Sequence, residues 1–272
     1  MAKRLISTGI GIIILLLVMI SNNIIVFNIA LTVIALMAIS EFYNAFKEKK
    51  IKTLSLVGYI SSLGLLLVNY DLSFVTNENI KTFLIMLLPI LILILFCKMV
   101  FSNSGKNNIE DVIVTLFGIV YIPFLLMFLT LTRQMEMGEY LIWYILAGAW
   151  VTDSFAYLIG SKIGKHKFSK ISPNKSIEGS IAGIVFAAIF YGVYTYYLNK
   201  IGIELNVAEM VIVGIIISII SQIGDLAESA IKRYCEIKDT GTIMPGHGGI
   251  LDRFDSIIMI SPFAYIFLQI LL

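Results

Sequence analysis

The stretch SAIKRYCEIKDTGTIMPGHGGILDRFD, residues 229–255, sets two lysines, two arginines, three aspartates, a histidine, a proline and four glycines between long apolar runs. The chain around it has 272 residues, of which 58% are hydrophobic and 14% charged, and its mean hydropathy is +0.93. Soluble domains carry about 25% charged residues, so the composition belongs to the membrane class. Charge near hydrocarbon is costly, and a polar cluster of this density calls for a use. The formal net charge of +2 is too small to point to nucleic acid as a partner. Two cysteines, Cys97 and Cys235, make neither a disulfide framework nor a zinc set, and two histidines are too few for a histidine-based metal site.

Working outward, the apolar runs are continuous rather than alternating. That pattern excludes a barrel and leaves helices, since only these two satisfy the backbone in lipid. At about 20 residues per crossing, the runs predict an all-α, polytopic integral membrane protein. Nine transmembrane helices are expected, at 5–21, 24–45, 54–70, 82–101, 112–132, 140–160, 179–198, 207–226 and 254–272. The apolar N-terminal run follows Lys3-Arg4 and lacks a small-residue cleavage site, so it reads as an uncleaved first span. With this count, 17 of the 20 basic residues fall on one side, leaving only Lys81, Arg133 and Lys200 opposite. The positive-inside rule then puts the N-terminus in the cytoplasm and the C-terminus outside. The polar loops 161–178 and 227–253 face the cytoplasm. Charge is concentrated in the last four spans, so residues 1–139 read as a scaffold of five spans and 140–272 as the catalytic region. Pro89, Pro123 and Pro262 mark expected kinks.

The chemistry is expected where acids interrupt apolar sequence. Asp153 lies within the sixth span, where an aspartate costs about 2.5–3.5 kcal/mol to insert. Ser221, Asp225, Glu228 and Lys232 are spaced four, three and four residues apart, which aligns them on one helix face. An ordinary helix-end stripe would place its charges beyond the membrane edge, whereas Asp225 directly follows an apolar run. Asp252 and Asp255 open the last span, where Asp255 can also serve the helix N-terminus. Gly246-His247-Gly248-Gly249 just precedes them, and glycines let backbone N–H groups approach an anion closely. Carboxylates beside such a loop suit magnesium, which takes one or two of them and leaves its other positions to phosphate and water. Loop 161–178 adds five lysines, readable either as positive-inside charge or as an anion site. Gly160 and Gly164 only echo a P-loop, and the absence of a preceding strand rejects it. Gly179-x-x-x-Gly183 reads as a helix-packing motif. Acids, lysines and a glycine-rich loop together form the kit for phosphoryl or nucleotidyl transfer.

Residues 229–255 resemble the signature of the phosphatidate cytidylyltransferases, or CDP-diacylglycerol synthases. Residues 221–229 and 153–169 fit the same family, and 172–183 fit it more loosely. There, Asn174, Ser176, Ile177 and Ala182 depart from the usual Lys, Thr, Trp and Gly, while Ser172, Lys175, Glu178 and Gly179 are kept. The resemblance is strong over 150–258. It implies that CTP and phosphatidic acid in the bilayer give CDP-diacylglycerol and diphosphate at the cell membrane, with Mg2+ and, as a second ion, K+. It implies that Asp225 and Asp252 hold the metals, with Asp255 and Asp153 as further ligands or supports, and that the protein is a homodimer. Lys175, Lys232, Arg233, Lys238 and Arg253 would neutralise phosphates. Ser172, Glu178, Gly248 and Gly249 would line the substrate site, and His247 would either contact a phosphate or shape its loop. The alternatives are a CTP-dependent transferase acting on an isoprenoid lipid and, from a different class, a secondary transporter with midplane acids.

Overall fold

A computed structural model of the chain describes residues 2–67, 93, 95–97, 109–167, 169, 171–242 and 248–272. Its helices are α1 (Ala2–Ile20), α2 (Ile24–Lys47), α3 (Ser55–Leu67), α4 (Ile109–Ile119), α5 (Leu125–Gln134), α6 (Gly138–Ile163), α7 (Ile177–Lys200), α8 (Val207–Tyr234) and α9 (Leu251–Leu271). Among the described residues there is no strand; Lys167 and Ser176 form an isolated antiparallel bridge. Among the described residues, six segments are long and apolar enough to cross a membrane: α2, the continuous stretch Ile109–Gln134, α6, α7, α8 and α9. They correspond to six of the nine expected spans. The run expected at 5–21 forms α1 but is not among the six, and α3 covers part of the run expected at 54–70. The run expected at 82–101 lies outside the described residues except for 93 and 95–97, and Pro89 and His247 also lie outside them.

The chain forms two compact units. One comprises Met1–Met127 with Cys235–Leu251, and the other Phe128–Tyr234 with Asp252–Leu272.

In the first unit, α2 packs against α3 and α4. Phe42 and Tyr43 are buried at its centre, and the Tyr43 hydroxyl donates to the Thr115 carbonyl at 2.9 Å. A π-helical turn, Val120–Phe124, joins α4 to α5 and contains Pro123. Proline has no N–H to give to the helical ladder, and a widened turn is one way a helix absorbs that loss. The expected feature at Pro123 is therefore a π-turn inside one span. The unit also buries charge that the sequence reading missed. Asp111 accepts from the Lys52 N–H at 2.8 Å, and Glu41 on α2 is only 4% exposed.

In the second unit, α7 lies between α6 and α8. Its lipid-type face is visible in the spacing: Ile181, Val185, Ile189 and Val193 recur every four residues and are all exposed, whereas Gly183, Ala187, Tyr191 and Thr195 are buried. An apolar face turned outward, with small and hydroxyl-bearing residues inside, is the arrangement a membrane solvent favours. Gly179 is needed where α7 meets α6, because a Cβ there would lie 2.9 Å from the Gly160 Cα. Tyr144 and Tyr191 pack with their rings tilted at a centroid distance of 4.9 Å, and the Tyr191 hydroxyl donates to the Tyr144 carbonyl at 2.8 Å.

Candidate active site

The site is built at one end of the α6–α7–α8–α9 unit. α8 has 28 residues, roughly 42 Å at 1.5 Å per residue. A bilayer core is about 30 Å thick, so the helix is long enough to cross it and continue for about two turns. Its polar residues, Ser221, Asp225, Glu228 and Lys232, follow one another along its C-terminal half, as their spacing requires.

Two ion-pair clusters form on this stripe. In the first, Lys175, from the turn that precedes α7, pairs with Asp225. Both side chains are about one-third exposed, at 28% and 30%. Asp153 on α6 is exposed and lies near Ser256 on α9. Asp255, one residue earlier, is buried and accepts from the Ser256 N–H at 2.7 Å. Asp153, Asp225 and Asp255 are close enough for their charges to act on one another, and Lys175 and Arg253 act on Asp153 with opposite sign. In the second cluster, Lys232 pairs with Glu228 four residues earlier and with Asp252 at 2.7 Å. Glu228 is wholly buried, and the Asp252 side chain is 5% exposed.

Local chain chemistry places Lys175. The Lys175 N–H donates to the Ser172 carbonyl at 3.1 Å, closing a turn around Pro173. Ser176 then caps α7 by accepting from the Gly179 N–H at 3.2 Å, as serine at that position does. Glu178 accepts from the backbone N–H of His166 and pairs with its ring at 2.7 Å, folding the lysine-rich loop back onto the start of α7. Gln222 on α8 hydrogen-bonds Ser180, and Thr152 on α6 donates to Ser218 at 3.1 Å. These contacts tie α6 and α7 to α8 beside Asp153 and Asp225. Neither Gln222 nor His166 stood out in the sequence, because each is an ordinary polar residue until its partner's position is known.

The structure thus brings together Asp153, Lys175, Asp225, Lys232, Asp252 and Asp255. Arg233 and Arg253 are exposed, near the end of α8 and the start of α9. Lys238, Gly248 and Gly249 belong to the other unit. Among the described residues, no three His, Cys, Asp or Glu side chains form a ready-made metal cage. The chemistry of the donor set nonetheless suits a hard cation, because it consists of carboxylates. In addition, the buried Ser221 hydroxyl, one turn before Asp225, has no hydrogen-bond partner among the described residues.

A multi-pass helical membrane protein with carboxylates and lysines gathered at one end of its spans belongs to a class that handles charged groups at a lipid boundary. Comparison with known proteins narrows that class. The description "Cytidylyltransferase family" fits residues 2–271. The sequence is 36% identical over 241 residues to the phosphatidate cytidylyltransferase of Staphylococcus haemolyticus (strain JCSC1435), covering 86% of each chain. It is 34% identical over 271 residues to that of Staphylococcus aureus (strain COL), covering 98% of this chain and 99% of the relative. With that of Bacillus subtilis (strain 168) the identity is 33% over 232 residues and 84% of each chain. The chain belongs to the cytidylyltransferase family, and it is a nucleotidyltransferase enzyme.

Proposed function

We propose that this enzyme transfers the cytidylyl group of CTP to phosphatidic acid, giving CDP-diacylglycerol and diphosphate for phospholipid synthesis. The observation that carries the reading is the half-open Lys175–Asp225 pair with Asp153 and Asp255 beside it, held among apolar helices. A lipid phosphate oxygen attacks the α-phosphorus of CTP, and the bond to the leaving diphosphate breaks. The nucleophile is already an anion, so no strong general base is required. The barrier lies in bringing two anions together and stabilising the leaving group, which fixed positive charge does best where water is sparse.

Lys175, Arg233, Lys238 and Arg253 neutralise phosphates in this scheme. Lys232 acts one step back, through its hold on Asp252. Asp225 and Asp252, with Asp153 and Asp255 beside them, would hold Mg2+ and K+. Bound there, the cations supply charge neutralisation at the triphosphate. Ser172 and Glu178 shape the turn that presents Lys175, while Gly248 and Gly249 contribute the loop. The phosphate of the lipid meets the site without leaving the bilayer. The charge asymmetry supports nine spans in the cell membrane, with the N-terminus and active site on the cytoplasmic side and the C-terminus outside. The functional unit is a homodimer in this reading.

The test uses purified protein in detergent with phosphatidic acid, magnesium and radiolabelled CTP. Label should enter the organic phase and be lost on adding EDTA. Absence of labelled lipid from folded protein would reject phosphatidic acid as the substrate, and isoprenoid phosphates would then be tried.

A further inference from the structure

Glu41 lies on α2 within an apolar span and is only 4% exposed. An acid in such a place is costly and by default functional. Its Oε2 accepts the N–H of Leu251, 210 residues away, at 2.9 Å. Leu251 is the first residue of α9, whose leading N–H groups have no partner within the helix. A carboxylate there meets both the bare donor and the positive end of the helix dipole. The same carboxylate also lies against both arms of the glycine-rich loop. A Cβ on Gly241 would fall 2.6 Å from Glu41 Cδ, and one on Gly249 would fall 2.7 Å from it. Glu41 occupies the space a side chain at Gly241 would take, and it shares with the Thr240 hydroxyl the space a side chain at Gly249 would take. The next residue after Leu251 is Asp252.

We propose that Glu41 is a positioning residue for cytidylyl transfer: it clamps both ends of the glycine-rich loop and fixes the backbone leading into Asp252. The proposal rests on the assignment of Asp252 to the reaction. Glu41 touches no reacting atom. Its part is to hold Gly241, Gly249 and the Leu251 N–H in place, so that Asp252 enters α9 from a fixed point. The role explains why a carboxylate stands in an apolar span and why Gly241 is a glycine.

The experiment compares full-length Glu41→Ala and Glu41→Gln with the unaltered enzyme in detergent. It measures kcat and KM for both substrates and, separately, the rate of tryptic cleavage at Lys238 in the loop's first arm. Glu41→Gln keeps an oxygen that can accept the Leu251 N–H. A misplacement of about 1 Å in a catalytic group costs about 100-fold. Glu41→Ala should therefore lower kcat by about that factor with little change in KM, and Glu41→Gln should recover most of the loss. Cleavage at Lys238 should quicken in Glu41→Ala while cleavage elsewhere stays slow. Gly241→Ala should impair the unaltered enzyme but add little to Glu41→Ala, since the clash it creates is with the missing Glu41 side chain. Unchanged kcat and unchanged Lys238 protection in Glu41→Ala would overturn the proposal. So would accelerated cleavage throughout the chain with kcat falling in step, because that marks a purely structural role. If the unaltered enzyme failed to label phosphatidic acid, the function assigned above would fall, and the Lys238 protection data would still decide whether Glu41 clamps the loop.

Discussion

Asp225 and Glu228 stand one turn apart on α8, each paired with a lysine, yet their surroundings are opposite. Asp225 and Lys175 are both about one-third exposed, and Lys175 comes from a turn rather than a helix. Glu228 is sealed, and its lysine is 13% exposed and shared with Asp252. An open pair can exchange its partner for another ion at little cost, because solvent-exposed ion pairs contribute about 0–1 kcal/mol. A sealed pair resists such exchange, because each charge it leaves alone carries a desolvation penalty of several kcal/mol. One helix therefore carries a working pair next to a fixed brace, and the brace reaches Asp252 at the start of α9.

The comparison breaks most readily at Lys232. Lys232→Met leaves Glu228 and Asp252 buried without their shared cation. Removing one partner of a buried pair costs about 3–5 kcal/mol, so the variant should unfold at markedly lower temperature in detergent. A thermal midpoint close to that of the unaltered protein would show that the second cluster is not a brace.

Asp225→Asn should give the reverse signature. The pair it breaks is half open, so the thermal midpoint should move little. Turnover should fall by about 100- to 1,000-fold, the usual loss when one charge-stabilising group is removed. Initial rates with labelled CTP, read beside the melting curve of the same sample, test both halves. Near-normal turnover would remove Asp225 from the reaction, and a large drop in midpoint would merge the two clusters into one structural network.

Much of this was legible in the sequence, and what was not has a physical reason. The cost of charge in an apolar run exposes Asp153 and Asp225 without any structure. Helical spacing places Glu228 beside Lys232, because pairs four apart share a face. Spacing says nothing about partners from other segments, so neither the Lys232–Asp252 pair nor the Lys175–Asp225 pair could be read from the chain. Lys232 consequently looked like a phosphate ligand until its carboxylates were seen. Glu41 is subject to the same insertion cost as Asp153, yet, like Asp111, it sits in the part of the chain that read as bland scaffold. Its hydrogen-bond partner lies 210 residues away. Gly249 read as an anion cradle because glycine invites close approach. The structure shows that what approaches it is the Glu41 carboxylate.

The smallest expected effect comes from a third lysine–carboxylate pair, Lys49–Glu236, which extends the comparison to a carboxylate that is mostly exposed. Glu236 has 80% of its side chain exposed. The hydrogen bond and charge of Lys49 hold its carboxyl below the ordinary value of 4.5. The sign follows from linkage: the native state binds this proton less readily than the unfolded chain, so the pair's contribution is present above about pH 4.5 and is lost as the pH falls through the lowered value. Water and salt screen a pair this open. Glu236→Gln should therefore leave the thermal midpoint at neutral pH nearly unchanged and slightly flatten its decline below pH 4.5. Added salt should reduce even that difference. Melting curves of both proteins across that interval, at low and high salt, measure it. A loss as large as that expected for Lys232→Met would mean that exposure does not govern what these pairs are worth, and the distinction between working pair and brace on α8 would lose its physical basis.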